Sequence, residues 1–375
     1  MRQNSLAYAV AGVVIVGGLL CQWLLLSGGD PWALLGVFHH NYQSQLVNSL
    51  VGNAALNVRR PDFQTGIVFP RWGTTAYSEN DTNWNVGLRE IREQTQANWI
   101  QLTVNLFQPS ATSTDVKASE ATPSPEAIAT GIRSAHERHY HVFMIPLLSV
   151  IGSERWSGDV RYHTTQQWHD WFESYWQAYR PYVVAASEAG AEEISIGTEL
   201  SWMEHAPDRL WDLLIARIRT VFSGKITYDM NWTYKVDSLP VWMSNSGLDV
   251  IGVSAYYPLL LSQQNVPAEK IPVLWRENVG RYLDAIATHL RKSVLISEIG
   301  YRDTADTLLR PGQETSNAPV DEMAQARAFN AALQNSAKDP NIVGVFVWAW
   351  SVPVFQPNWR PAAQVIRYWY SALHA

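Results

Sequence analysis

The chain alternates short apolar runs with longer stretches in which apolar residues recur every three or four positions. The runs are Gly66–Pro70, Trp99–Leu106, His141–Leu148, Glu193–Gly197, Lys225–Met230, Asp249–Ala255, Ser293–Ile296 and Ile342–Trp348. Each reads as a strand of a parallel sheet, and helical patterns separate them. Ser124-Pro125-Glu126 reads as N-cap, first-turn proline and first-turn acid, with Ile128, Ile132 and Ala135 following at helical spacing. A longer helix carries Trp168, Trp171, Phe172, Tyr175 and Tyr179 and closes near Gly190, a residue suited to a left-handed C-cap. A third begins near Pro207 and buries Leu210, Leu214, Ile218 and Val221; a fourth places Val279, Tyr282, Leu283, Ile286 and Leu290 on one face. The Ser-, Thr- and Ala-rich stretch 109–123 reads as a long loop after the second strand. Eight such units in order predict an α/β chain closed into a (β/α)8 barrel, with an open doubly wound sheet as the alternative.

Upstream the pattern changes altogether. Residues 3–29 carry no charged side chain, and residues 6–26 are almost wholly apolar. At about 1.5 Å per residue that span crosses a hydrocarbon layer of about 30 Å. Arg2 precedes it and Asp30 follows it, which favours an inside amino terminus and a body on the extracytoplasmic side of the cell membrane. The expected organisation is therefore an N-terminal transmembrane anchor (1–29), a juxtamembrane connector (30–62) and the barrel (63–375). A cleaved signal peptide, leaving a secreted body, is the competing reading.

Composition narrows the chemistry. Of 375 residues, 47% are hydrophobic and 17% charged, which excludes a largely disordered chain. A net charge of −6 argues against nucleic acid as partner. Cys21 is the only cysteine, so neither an intramolecular disulfide nor a cysteine-rich metal site can form. His139 and His141 lie at the entrance of the third strand, the wrong end for a catalytic metal. Neither a glycine-rich phosphate loop nor a nucleophile elbow around Ser297 is present. No cofactor or metal is expected. With 18 Trp and 16 Tyr, the chain has rings to spare for the flat faces of sugars after its core is packed.

In a barrel of this kind, chemistry sits at the carboxyl ends of the strands. The fourth strand ends in IGTELSW and leaves Glu199 just past an apolar stretch; the seventh ends in LISEIGYR and leaves Glu298 in the equivalent place. An acid there is costly unless it is paired, for example with Arg302 or Lys225, or used. Two carboxyl groups facing one another across a barrel mouth can divide the work of glycoside hydrolysis, one as acid/base and one as nucleophile.

The stretches IGTELSW, YDMNW, IGVSAYYPL, LISEIGYR and VGVFVWAWS, in that order, resemble glycoside hydrolase family 113 of clan A, whose characterised members are mainly β-mannanases. The resemblance implies a retaining hydrolase of β-linked polysaccharide, mannanase-like, with Glu199 as acid/base and Glu298 as nucleophile. Tyr256, or its neighbour Tyr257, resembles the tyrosine that hydrogen-bonds the nucleophile. Trp348 resembles the ring beneath the sugar, with Trp350 in reserve. Asn231, Trp232 and, beyond the first strand, Trp72 are candidates for contacts to the sugar chain. One position departs from the clan: Thr198 stands where many members carry an asparagine that binds the sugar 2-hydroxyl. A non-catalytic carbohydrate-binding barrel, and a transglycosylase or β-glucanase acting on surface polysaccharide, are the alternatives.

Overall fold

A computed structural model describes residues 45, 47–52, 58–151 and 156–375. The chain divides into two compact units, Met1–Gly52 and Asn53–Ala375. In the first, the described residues 45 and 47–51 are helical. The apolar segment 6–26 lies outside the described residues, and among those described no helix is long and apolar enough to cross a membrane.

The second unit is a closed barrel of eight parallel strands in sequence order. They are β1 (Gln64–Val68), β2 (Trp99–Gln108), β3 (His141–Val150), β4 (Glu193–Thr198), β5 (Lys225–Asn231), β6 (Val250–Ser254), β7 (Val294–Ile299) and β8 (Ile342–Val347). All eight expected runs are strands. β1 pairs with both β2 and β8, which closes the circle and leaves no free sheet edge. Nearly every strand residue is buried, because one face packs inside the barrel and the other under helices. One interior cluster joins Val68, Trp99, Phe143, Ile145, Val250, Leu295 and Phe346 from six different strands.

The flanking helices are α1 (Thr82–Thr95), α2 (Pro125–His136), α3 (Thr165–Ala189), α4 (Asp208–Arg219), α5 (Ile271–Trp275), α6 (Arg281–Leu290), α7 (Glu322–Lys338) and α8 (Pro361–His374). Ser124 caps α2 by accepting from the Ala127 N–H, as its sequence predicts. Gly190 ends α3 at φ 84°, a left-handed geometry that costs glycine nothing. Two expectations are corrected. The helix expected across Val279–Leu290 is present with Val279, Leu283, Ile286 and Leu290 buried, but it is entered through a π-turn at Arg276–Gly280, and Tyr282 points outward, 38% exposed. No α-helix follows β5; two 3-10 turns, Val236–Ser238 and Val241–Ser244, make that connection.

The last residues of the expected connector are held against the barrel. The Arg60 guanidinium donates to the carbonyls of Ser336, Asp339 and Ile342, and its backbone N–H donates to Leu373. These contacts gather the start of β1 and the end of α8 at the amino-terminal face of the strands.

Candidate active site

The carboxyl ends of the strands open into a cavity of about 740 Å³ lined by Thr198, Glu199, Asn231, Trp232, Tyr256, Glu298 and Trp348, among others. Glu199 follows β4 directly, in the left-handed region at φ 52°, and its N–H donates to the Asp229 carbonyl at 2.8 Å. That bond aims the side chain across the mouth. Glu298 is not beyond its strand, as its sequence suggests, but the penultimate residue of β7, in register with Ser254 of β6. The side chains that could neutralise the pair are engaged elsewhere: Arg302 pairs with Asp306 at 2.8 Å, and Lys225 opens β5 at the far end of the barrel.

Each glutamate meets donors of its own. Tyr256 Oη donates to Glu298 Oε2 at 3.1 Å. Tyr257 packs instead between the rings of Trp232 and Tyr282, at 5.5 Å and 5.8 Å, so Tyr256 is the partner. Burial, then the negative charge of Glu298, push the Tyr256 phenol well above its ordinary range, so it stays a donor. Glu199 Oε1 accepts from Asn231 Nδ2 at 2.8 Å and Oε2 from Trp156 Nε1 at 2.9 Å.

Beneath them lies a third carboxyl group. Asp229 of β5 is fully buried, accepts from the hydroxyls of Ser297 and Ser254, and leaves Oδ2 without a partner. A side chain on Gly252 of β6 would stand 2.8 Å from Ser297 Oγ, so glycine is what admits that hydroxyl. Burial raises the Asp229 pKa to about 8. Burial also raises Glu298, and the charges of Asp229 and Glu199 add to the rise, outweighing the Tyr256 bond that favours the carboxylate. Three desolvated carboxyl groups this close cannot all be ionised. With Oδ2 unpartnered, Asp229 is the one best kept neutral, which relieves Glu298.

Glu204, in the loop after β4, is a further buried acid. Tyr228 Oη donates to its Oε1 at 2.5 Å, Oε2 has no partner, and burial raises its pKa to about 8. Stacked Trp211 and Trp242, 4.3 Å apart, hold this loop from below through their indole N–H groups.

The expected aromatic residues divide. Trp348 and Trp232 line the cavity; Trp72 and Trp350 do not. Trp350 is 4% exposed, and its N–H donates to the Val68 carbonyl. β8 ends at Val347, so the alternation that would place Trp350 beside Trp348 no longer applies. Thr198 lines the cavity with its hydroxyl oxygen unpartnered. His141 and His136 flank Glu192 at 3.2 Å each, at the opposite end of the barrel. The sequence reading overlooked Trp156 and the segment Leu309–Glu314 on the cavity wall, and Asp229 buried beneath it. Only Asp229 carried a signal, as an acid inside the quoted YDMNW strand.

The model of Glycoside Hydrolase Family 113 matches residues 71–368. The chain belongs to glycoside hydrolase family 113. It is a glycoside hydrolase, and its barrel is similar to solved members of the family. A family 113 β-1,4-mannanase in complex aligns with a TM-score of 0.70 and 21% identity, over 82% of this chain and 99% of that one. The family 113 β-mannanase from Alicyclobacillus acidocaldarius, in complex with ManMIm, aligns with a TM-score of 0.70 and 22% identity, over 83% and 98%. A family 5 mannosidase from Rhizomucor miehei is more distant, with a TM-score of 0.53 and 12% identity over 83% and 93%. At these identities the structural likeness speaks for the fold. Among curated proteins no sequence matches the chain.

Proposed function

We propose that this family 113 chain is a retaining hydrolase of the mannanase type, with Glu199 as general acid/base and Glu298 as nucleophile. One observation carries the reading: two carboxyl groups from the ends of β4 and β7 line one cavity, an O–H donor on the first-attacking group and N–H donors on the other. In the first step Glu199, as the acid, gives its proton to the glycosidic oxygen while the Glu298 carboxylate attacks the anomeric carbon. The glycosidic bond breaks, the leaving chain departs as an alcohol, and Glu199 is left ionised. In the second step Glu199 takes a proton from water as the water oxygen attacks the anomeric carbon, and Glu298 leaves as a carboxylate. Tyr256 fixes the oxygen of Glu298 that does not attack.

The substrate is a β-1,4-linked hexose polymer, mannan ahead of glucan. The mannanase relatives support the sugar, and Trp348 and Trp232 offer stacking surfaces along the wall. The unpartnered Thr198 hydroxyl is free to meet a sugar hydroxyl where clan members use asparagine. The apolar span 6–26 supports a tether to the cell membrane, with the barrel on the extracytoplasmic side. A full chain that is freely soluble and unprocessed after fractionation would sink that tether.

The deciding experiment is a hydrolysis screen with mannan, glucomannan, cellulose oligomers and an α-linked control, following the anomer first released by NMR. Mannan cleavage with retention is expected. Cleavage confined to α-linked chains overturns the substrate class, and glycan binding without turnover favours a non-catalytic barrel. Cleavage of glucans alone overturns only the sugar.

A further inference from the structure

Glu199 is met by donors that favour the ionised form of its two protonation states. Asn231 faces it with its amide N–H₂, and the orientation is fixed because Asn231 Oδ1 accepts from the Thr233 N–H at 3.0 Å and the Thr233 hydroxyl at 2.8 Å. Oε1 of Glu199 is thereby committed as an acceptor. On Oε2 sits the indole N–H of Trp156, a group that can only donate. Both oxygens are thus complemented as a carboxylate, yet the first step needs a proton on one of them. Oε2 is the oxygen left to carry it.

Trp156 itself is 41% exposed, on the loop after β3, and is held by its ring rather than by a pocket. The ring lies over Gly158, where an added Cβ would meet its carbon atoms at 2.3–2.6 Å. Glycine at that position is what lets the indole settle with its N–H on Glu199.

We propose that Trp156 is a positioning residue that seats Glu199 through Oε2, biasing that oxygen toward the carboxylate, and must shift from Oε2 for the acid step. The proposal rests on Glu199 being the acid/base. Opposing influences meet at this carboxyl group: burial raises its pKa and prevails, and the bonds from Asn231, Trp156 and Ser254 lower it in part. Removing one donor therefore moves the balance toward the acid.

Two variants reach the same bond by different routes. Trp156→Phe keeps a ring and removes the N–H; Gly158→Ala keeps the indole and pushes it off its seat. The alkaline limb of the kcat/KM profile reports the acid of the free enzyme. In both variants it should move to higher pH, by about one unit, with the acidic limb little changed. The profile is measured on the wild type, both variants and Glu199→Ala, with circular dichroism confirming the fold of each. An unshifted alkaline limb in both variants, with that limb lost in Glu199→Ala, overturns the role of Trp156 and leaves Glu199 as acid/base. A limb that survives Glu199→Ala overturns both.

Discussion

Glu193 and Glu199 stand at opposite ends of the same strand, and the barrel treats them in opposite ways. Glu193 opens β4 and is fully buried; Gln64 donates to its Oε2 at 2.7 Å and Thr227 donates to its Oε1. Its neighbour Glu192 accepts from the Val142 N–H at 2.7 Å and lies between His136 and His141. At that face every carboxyl oxygen named has a partner from an adjoining element. Toward the other face, Thr198 Oγ1 on the cavity wall, and Asp229 Oδ2 and Glu204 Oε2 buried away from it, are without one. Burial alone therefore does not mark a working carboxyl group. What marks Glu199 and Glu298 is that their carboxyl groups line a cavity a ligand can reach, whereas Glu193 is sealed at the closed end of the barrel.

Exchanging each acid for its amide or truncating it separates the two ends, and the largest effect belongs to Glu298. Glu298→Gln should lose turnover to background, because the nucleophile's charge is gone. Glu199→Gln should slow natural chains by about 10²–10⁴-fold while still forming the glycosyl-enzyme from an activated aryl glycoside. Equal loss on both substrates, measured by burst kinetics, breaks the division of roles. At the other face, Glu193→Ala should leave kcat per folded molecule unchanged. It should lower the unfolding midpoint in denaturant, since each stranded buried donor costs roughly 1–3 kcal/mol.

Asp229 tests the middle ground. If it works as a neutral group, Asp229→Asn should keep kcat/KM at neutral pH within about tenfold, a change of less than about 1.4 kcal/mol. A collapse comparable to Glu298→Gln would make Asp229 a charged participant instead. The smallest effect is on stability against pH. Asp229 and Glu204 have folded pKa values raised to about 8 from ordinary values of 3.8 and 4.5. Their protonated forms are favoured by the fold, so the stability they contribute is present at low pH and lost as pH rises toward 8. Thermal midpoints should fall across that window, and Glu204→Gln should flatten the fall.

Much of this was legible in the chain. The eight strands stand out because burial on both faces makes each a nearly unbroken apolar run. The two glutamates stand out because acids at the ends of such runs are rare. Contacts between distant segments left no such trace: Trp156 reaches Glu199 across 43 positions, from a loop with no periodicity. Trp350 misled for a local reason, since the rule of two fails once a strand ends. Asp229 was visible in YDMNW, but its meaning depends on Ser297 and Ser254 from two other strands.

The clasp at Arg60 has a consequence for how this enzyme can be mounted. Arg59 touches the carbonyl of Ala375, and Thr65 Oγ1 meets His374 Nε2 at 3.1 Å, so the polypeptide enters and leaves the barrel at neighbouring points. Both points lie behind the sheet, on the side away from the cleft. A carrier, a bead or a second module coupled at either point is delivered to the rear of the catalyst. A polymer too thick to thread past that attachment still meets the glutamates from the open front.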